Sequence, residues 1–290
     1  MSTTSTTVQE TRQVLAKAEQ PEESALEVVD LIERIHVIPT FTDKYLERKW
    51  AKEQMAGAFR VLAKLGHNDG AGGHISLRDP VRPDCFWINP YAVHFGMITV
   101  GDLILVNEAG KPLIPTKGHK INKAGFMIHS VLHRSRPDVN AAVHTHSRYG
   151  RAWSVFGRPI EMLNQDCCYF YNDLSVYEGF GGVVQGQDEG ENIARALGPL
   201  KKNVILQNHG ILSCGGTVGE AMGYFLALEQ ACEAQLLAEA AAANGIPKKL
   251  VGDKEARFTK ESVGNPAVMY MQFKPEYEMI LKESRGDFLE

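Results

Sequence analysis

Apolar residues recur along this chain at two spacings, and the switches between them predict its elements. Over residues 43–65, Tyr45, Trp50, Met55, Phe59, Val61 and Leu62 follow a helical period that Gly66 ends, as a glycine just past a helix does. An earlier helix is predicted over 22–37, with Leu26, Val29, Leu31, Ile32 and Ile35 on one side, after a polar arm. The segment NDGAGGHISLRDP then sets a glycine-rich turn ahead of strand alternation through Ile75, Ser76, Leu77 and Arg78. Strands are predicted at 86–90 (FWINP) and within 102–114 on both sides of a turn at 108–111, the pattern of a β-meander. A helix over 122–136 is stopped by Pro137, a strand follows over 141–146 (AAVHTH), and a short helix over 188–197 is closed by Gly198 and Pro199. The run 203–214 (NVILQNHGILSC) is apolar except at its centre, as a buried strand with a ligand-bearing turn would be. Thr217 and Glu220 form a capping-box pattern at the head of the longest helix, which Gly245 and Pro247 close after Asn244.

This order predicts one α/β domain over 43–250, preceded by an arm and helix over 1–42. A tail over 251–290 follows, whose Phe258, Tyr270, Phe273, Tyr277 and Phe288 suit docking on the domain or on a neighbouring subunit. With 44% apolar and 23% charged residues, the 290-residue chain has the make-up of an ordinary globular protein. A formal net charge of −4, with no block of like charge, argues against nucleic acid as a partner. No stretch approaches the roughly 18 consecutive apolar residues of a membrane span. A polar N-terminus without an apolar core and a C-terminal GDFLE without a lipidation or peroxisomal signal lead to the expectation of a cytoplasmic protein. The five cysteines are scattered and lack a CxxC, which predicts free thiols and excludes a disulfide scaffold or zinc ribbon.

Candidate chemistry sits in three of the ten histidines. His144 and His146 stand two apart in a predicted strand, so both imidazoles leave the same face of the sheet, about 6–7 Å apart at their α-carbons. His209 interrupts another apolar strand, where an imidazole needs a hydrogen bond or a metal to offset burial. A His-x-His alone is better explained by two satisfied core histidines. Joined by His209 and the glycine-rich turn, it reads as a site for one divalent ion, Zn²⁺ first, with Fe²⁺, Co²⁺ or Mn²⁺ as alternatives.

The same segments, RPDVNAAVHTH, then LQNHG, with GGHIS ahead of both, resemble the class II aldolase/adducin family over roughly residues 45–250. The resemblance implies a three-layer α/β/α sandwich around a mixed, mainly antiparallel sheet, usually assembled as a homotetramer with sites at subunit boundaries. It implies that His144, His146 and His209 hold a metal that polarises a small hydroxy-carbonyl substrate and steadies the enediolate of C–C cleavage. The chain also departs from the pattern. Where sugar-phosphate aldolases carry Ser-Ser-Glu, it has Lys123, Ala124 and Gly125, so both the phosphate-holding hydroxyls and the proton-moving carboxylate are missing. The family's glycine-asparagine phosphate turn is Gly73-His74 here, and its threonine-glycine partner loop is replaced around Asn89-Pro90-Tyr91.

Substitutes for the missing acid/base are His129, one helical turn past Gly125, His74, and Tyr149 just after the His-x-His, the imidazoles having a suitable pKa near ~6.5. His129 and Tyr149 are the catalytic candidates. Gly73, His74, Ser76, Asn89 and Tyr169 are the substrate-binding ones, Tyr169 by analogy with a family tyrosine donated to the neighbouring subunit's pocket. His133 is expected at the solvent-facing or capping end of its helix, and His119 with Lys120 in an exposed loop. Three functions follow. The first is a metal-dependent lyase, retro-aldol or decarboxylating, on a small unphosphorylated hydroxy-carbonyl substrate. The second is a non-haem Fe(II) oxygenase of aromatic 2-hydroxy or 2-oxo acids, and the third a non-catalytic adducin-like assembly protein.

Overall fold

The computed structural model describes residues 37–182 and 187–290, so the helix predicted over 22–37 lies outside the described residues apart from its last position. Asp43 opens helix α1 (Lys44–Lys64) by accepting from the Tyr45 backbone N–H. After it come β1 (His74–Arg78), β2 (Cys85–Ile88), β3 (Ile104–Asn107), α2 (Lys123–Ser135), β4 (Ala141–Thr145), α3 (Arg148–Ser154) and β5 (Leu174–Tyr177). The chain continues through α4 (Gln187–Leu197), β6 (Asn203–Leu206), β7 (Gly210–Gly215), α5 (Val218–Ala242), α6 (Asp253–Val263) and α7 (Pro266–Glu283).

The strands form one sheet in the order β3-β2-β1-β4-β7-β6-β5, antiparallel at every pairing except β5 with β6. Strand alternation assigns the faces. Ile75, Leu77, Ala141, Val143, Ile205 and Ile211 join Phe59, Leu62, Phe225, Leu228 and Phe273 in the larger core, under α1, α5 and α7. Their neighbours Ala142, Val204, Leu206, Leu212 and Cys214 pack against Ile128 and Leu132 of α2 and Ile193 and Leu197 of α4 on the opposite face. Two helical layers with a sheet between them make the α/β/α sandwich that the resemblance implied.

Several expectations change. The second half of 102–114 is not a strand, because the Asn107 side chain accepts from the N–H groups of Ala109 and Lys111 and folds the chain into a turn, leaving a single bridge from Val106 to Pro112. Only half of the capping box forms. The Thr217 hydroxyl accepts from the Glu220 N–H, but the Glu220 carboxylate turns to the Gly216 N–H and to Lys202. The segment 251–290 is helical and lies on this domain, with α7 packed against α5 and α1 and α6 against the turn at Asp166–Phe170. Tyr270, Phe273, Tyr277 and Phe288 are buried there, and Phe258 remains exposed. Neither α3 nor β5 was anticipated.

Helices α5 and α7 approach so closely at Gly223 that a β-carbon there would overlap the Met269 carbonyl. Gly223→Ala should therefore lower stability by about 2–3 kcal/mol through overpacking, read as the denaturant midpoint. An unchanged midpoint would show that the two helices separate freely.

Candidate metal centre

The alternation that sorts the core also collects polar groups on the α2 face. His74 and Ser76 of β1 and His144 of β4 all point there, and His74 lies directly across from His144 in the antiparallel register. His146 follows the last residue of β4, at the point where the chain turns into α3. That turn is anchored by Glu229 of α5, which accepts from the Ser147 hydroxyl at 2.5 Å and from the N–H groups of Tyr149 at 2.7 Å and Gly150 at 2.6 Å. A buried carboxylate thus satisfies the orphan donors of a helix start. His209 arrives on the tight turn between β6 and β7. Asn208 turns that corner at φ 59°, a left-handed conformation that asparagine tolerates.

One ring nitrogen from each of His144, His146 and His209 lies within 4.8 Å of the others. The His146 and His209 Nε2 atoms are 3.1 Å apart. Ligands bound at about 2.0–2.1 Å in a tetrahedron stand roughly 3.4 Å from one another, close to the His146–His209 separation, so small ring movements would bring the trio onto an ion such as Zn²⁺. His144 donates its Nδ1–H to the Ile211 carbonyl at 2.9 Å, which fixes the ring and leaves Nε2 with a free lone pair, as a ligating imidazole requires. Burial holds all three imidazoles below their ordinary pKa. His209 is brought down to about 4, and His144 well below the usual range with the other histidines adding to the effect. At neutral pH the trio therefore offers lone pairs, the form a divalent cation takes.

A cavity of about 430 Å³ opens over the three rings. Gly72 and Gly73 form its lip, and a β-carbon at Gly72 would come within 3.1 Å of the His146 Nδ1, so the turn lies against that ring. Tyr91, Ile128 and Phe180 supply apolar wall, and Arg151, 2.8 Å from Asp69, supplies a cation at the rim.

Of the other candidate residues, Gly73 and His74 line this cavity and the rest do not. His129 and Ser76 are buried behind it, and Asn89 is buried with Tyr91 taking the place at the wall. Tyr149 and Tyr169 line a separate cavity with His67 and Glu233, because α3 leaves β4 towards α5 and carries Tyr149 with it. In this chain they are not beside the three histidines. His133 is fully buried instead of facing solvent, stacked on Phe86 at 4.7 Å and hydrogen-bonded at both ring nitrogens. Sequence reasoning passed over Ile128, Arg151 and Phe180, and it met Tyr91 only as part of a replaced loop and Asn208 only as part of the motif around His209. The last adjoins His209 in the Asn-His-Gly turn, which was the available signal.

The missing carboxylate has a steric counterpart. At Gly125, the N-terminal turn of α2 lies against the edge of the His74 ring, and a β-carbon would stand 2.7 Å from Nδ1 and 2.8 Å from Nε2 and overlap the carbon between them. The His74 ring fills the space that a side chain at 125 would need. Gly125→Ala should cost about 1–3 kcal/mol of stability and lose much of that effect in a His74→Ala background. Equal losses in both backgrounds, measured by denaturant unfolding, would contradict the coupling.

Comparison with known proteins agrees with this architecture. The family model described as Class II Aldolase and Adducin N-terminal domain matches residues 53–236. Decarboxylase NovR of Streptomyces niveus is 38% identical, over 84% of this chain and 88% of its own length. The 4-hydroxy-3-prenylphenylpyruvate oxygenase/4-hydroxy-3-prenylbenzoate synthase of Streptomyces roseochromogenus is 37% identical over 84% and 86%. Among solved structures, the L-fuculose 1-phosphate aldolase from Glaciozyma antarctica superposes with a TM-score of 0.79 at 38% identity, covering 87% of this chain and 96% of that one. A fold, a histidine trio and a family model that all coincide place this chain in the class II aldolase and adducin family.

Proposed function

We propose that this protein is a divalent-metal-dependent lyase that cleaves a carbon–carbon bond next to a carbonyl in a small unphosphorylated substrate. The observation that carries the reading is the convergence of His144, His146 and His209, with lone pairs available, at the floor of a cavity large enough for a small metabolite. These three residues would hold the ion, Zn²⁺ first and Fe²⁺ or Mn²⁺ as alternatives. When bound, such an ion supplies a Lewis acid that polarises the substrate's carbonyl and hydroxyl oxygens.

The chain's own residues set the rest. Gly72 and Gly73 let the substrate approach, since no side chain stands at the lip. Arg151 presents a guanidinium suited to a carboxylate, although Asp69 already occupies part of it. Tyr91, Ile128 and Phe180 shelter an apolar or aromatic substituent and keep water from the reacting carbon. Among the described lining residues Arg151 is the one full cation, which suits a phosphate dianion poorly. His74 lines the cavity where the aldolase carboxylate would stand, with both ring nitrogens buried, so a rotation of the ring would bring one of them to the substrate. His129 touches His74, not the cavity, and acts through it.

A second reading, an Fe(II) oxygenase of aromatic 2-hydroxy or 2-oxo acids, is favoured by the apolar wall and by the oxygenase name of the Streptomyces roseochromogenus relative. An adducin-like assembly role draws no support from a histidine trio poised to ligate. No described helix is long and apolar enough to cross a membrane, and a cytoplasmic homotetramer is part of the proposal.

Metal analysis of the purified protein should find close to one divalent ion per chain. His144→Ala and His209→Ala should each lose it and all turnover while remaining folded. Full metal retention in both variants would overturn the ligand assignment. Incubation with hydroxyketones and aromatic 2-hydroxy and 2-oxo acids should give cleavage without O₂. Turnover that requires O₂ uptake would replace the lyase by the oxygenase.

A further inference from the structure

Helix α3 has seven residues, too few to hold a helix unaided, since isolated helices shorter than about 12–15 residues are marginal in water. It does not cap itself either. Ser147 stands at the N-cap with extended backbone, yet its hydroxyl makes no capping bond and donates to Oε2 of Glu229 in α5 at 2.5 Å. The same oxygen accepts from the Gly150 N–H at 2.6 Å, and Oε1 accepts from the Tyr149 N–H at 2.7 Å. A carboxylate that is only 2% exposed thus replaces the cap, with both oxygens committed to one turn of chain.

All three candidate ligands are tied to α3. His146 directly precedes its N-cap, and among the described hydrogen bonds the His146 ring meets only the ring of His209. Its position therefore depends on the backbone that carries it, whereas the His144 ring is fixed by the Ile211 carbonyl. At the other end of α3, the Ser154 carbonyl accepts from the Asn208 N–H at 3.2 Å, one residue before His209. Between the two ends, a β-carbon at Gly150 would stand 2.8 Å from the Ile211 side chain, so α3 lies close against the residue whose carbonyl holds His144. Arg151 extends from the same helix to Asp69, beside the glycine-rich lip.

We infer that Glu229 is a positioning residue for the metal centre, acting through α3. It lies in the wall of the separate cavity that holds Tyr149 and His67, and so reaches neither the ion nor the substrate. By gripping the start of α3 it sets the backbone of His146, and through Ser154 and Asn208 the approach of His209. Loss of an outer group that holds metal ligands in place weakens binding about 10–100-fold. The inference rests on the proposed binding of a divalent ion by the three histidines, and adds which group outside the trio determines how tightly the ion is held.

Zinc affinity, measured by competition with a chromophoric chelator at a temperature where every variant is folded, tests it. In Glu229→Gln the amide accepts at one position and turns N–H groups towards the backbone donor at the other. The zinc dissociation constant should rise about tenfold or more, and the visible d–d bands of the cobalt(II)-substituted protein should shift as His146 moves. Gly223→Ala, on the same helix, should lose stability yet keep the affinity and the cobalt spectrum of the unaltered protein. An unchanged dissociation constant with superimposable cobalt bands in Glu229→Gln would overturn the inference. An equal loss of affinity in Gly223→Ala would overturn it too, because general loosening of α5 would then suffice. If Glu229→Gln does not fold, Ser147→Ala removes one of the three bonds and should weaken zinc about three- to tenfold, and an unchanged affinity there would count against the inference in the same way. Failure of the unaltered protein to take up zinc at the three histidines would instead bring down the metal reading on which this one stands.

Discussion

Burying imidazoles without counter-charges is the constraint on which this structure depends. Strand alternation on β1 and β4 puts His74, Ser76 and His144 on one sheet face, under a helix that adds His129 and His133. Among the described residues no carboxylate joins that group, so each ring is held neutral by burial and must find a partner that accepts or donates in a defined direction. Inward, the partners are backbone carbonyls at Val139 and Ile211. Outward, nitrogens of three rings converge at the cavity, while His129 Nε2 and both nitrogens of His74 are buried behind it without partners among the described residues. Such an arrangement suits a divalent ion and a small oxygenated ligand.

On the proposed reading, the histidine trio and the glycine in place of the aldolase carboxylate become parts of one design. In an aldolase with Glu at position 125, the acid would project from the first turn of α2 into the cavity. Here glycine at 125 leaves room for the His74 ring to lie against the helix, and the polar function comes from β1 instead. Exchange at either position alone is therefore disruptive: a side chain at 125 collides with His74, and removing His74 leaves a gap beside a bare glycine. A Glu placed at 125 tests the missing proton shuttle only when His74 is reduced at the same time.

Much of this was legible beforehand. The His-x-His in a strand and the histidine of a glycine-bounded turn follow from period-two alternation and from the cost of a lone imidazole in an apolar run, and the coordinates bring those rings together. The helix boundaries at Asp43, Asn122 and Thr217 were readable because caps are chemical signals within a few residues. What escaped was set at long range. Tyr149 is three residues past His146 yet belongs to another cavity, because Glu229, eighty residues on, anchors the start of α3 and sends it towards α5. His133 appeared terminal in sequence, but the packing of α2 on β1 buries it. The interlock of Gly125 with His74 joins residues fifty-one positions apart and leaves no periodic trace.

The claim that all of this serves a metal is tested most directly by anomalous X-ray diffraction at the absorption edge of the ion bound in the purified protein. The account predicts one strong anomalous peak per chain, about 2.0–2.2 Å from Nε2 of His144, His146 and His209, with further coordination open towards the cavity. A peak bound elsewhere, or ring nitrogens of these three histidines paired to protein groups with no ion among them, would contradict it.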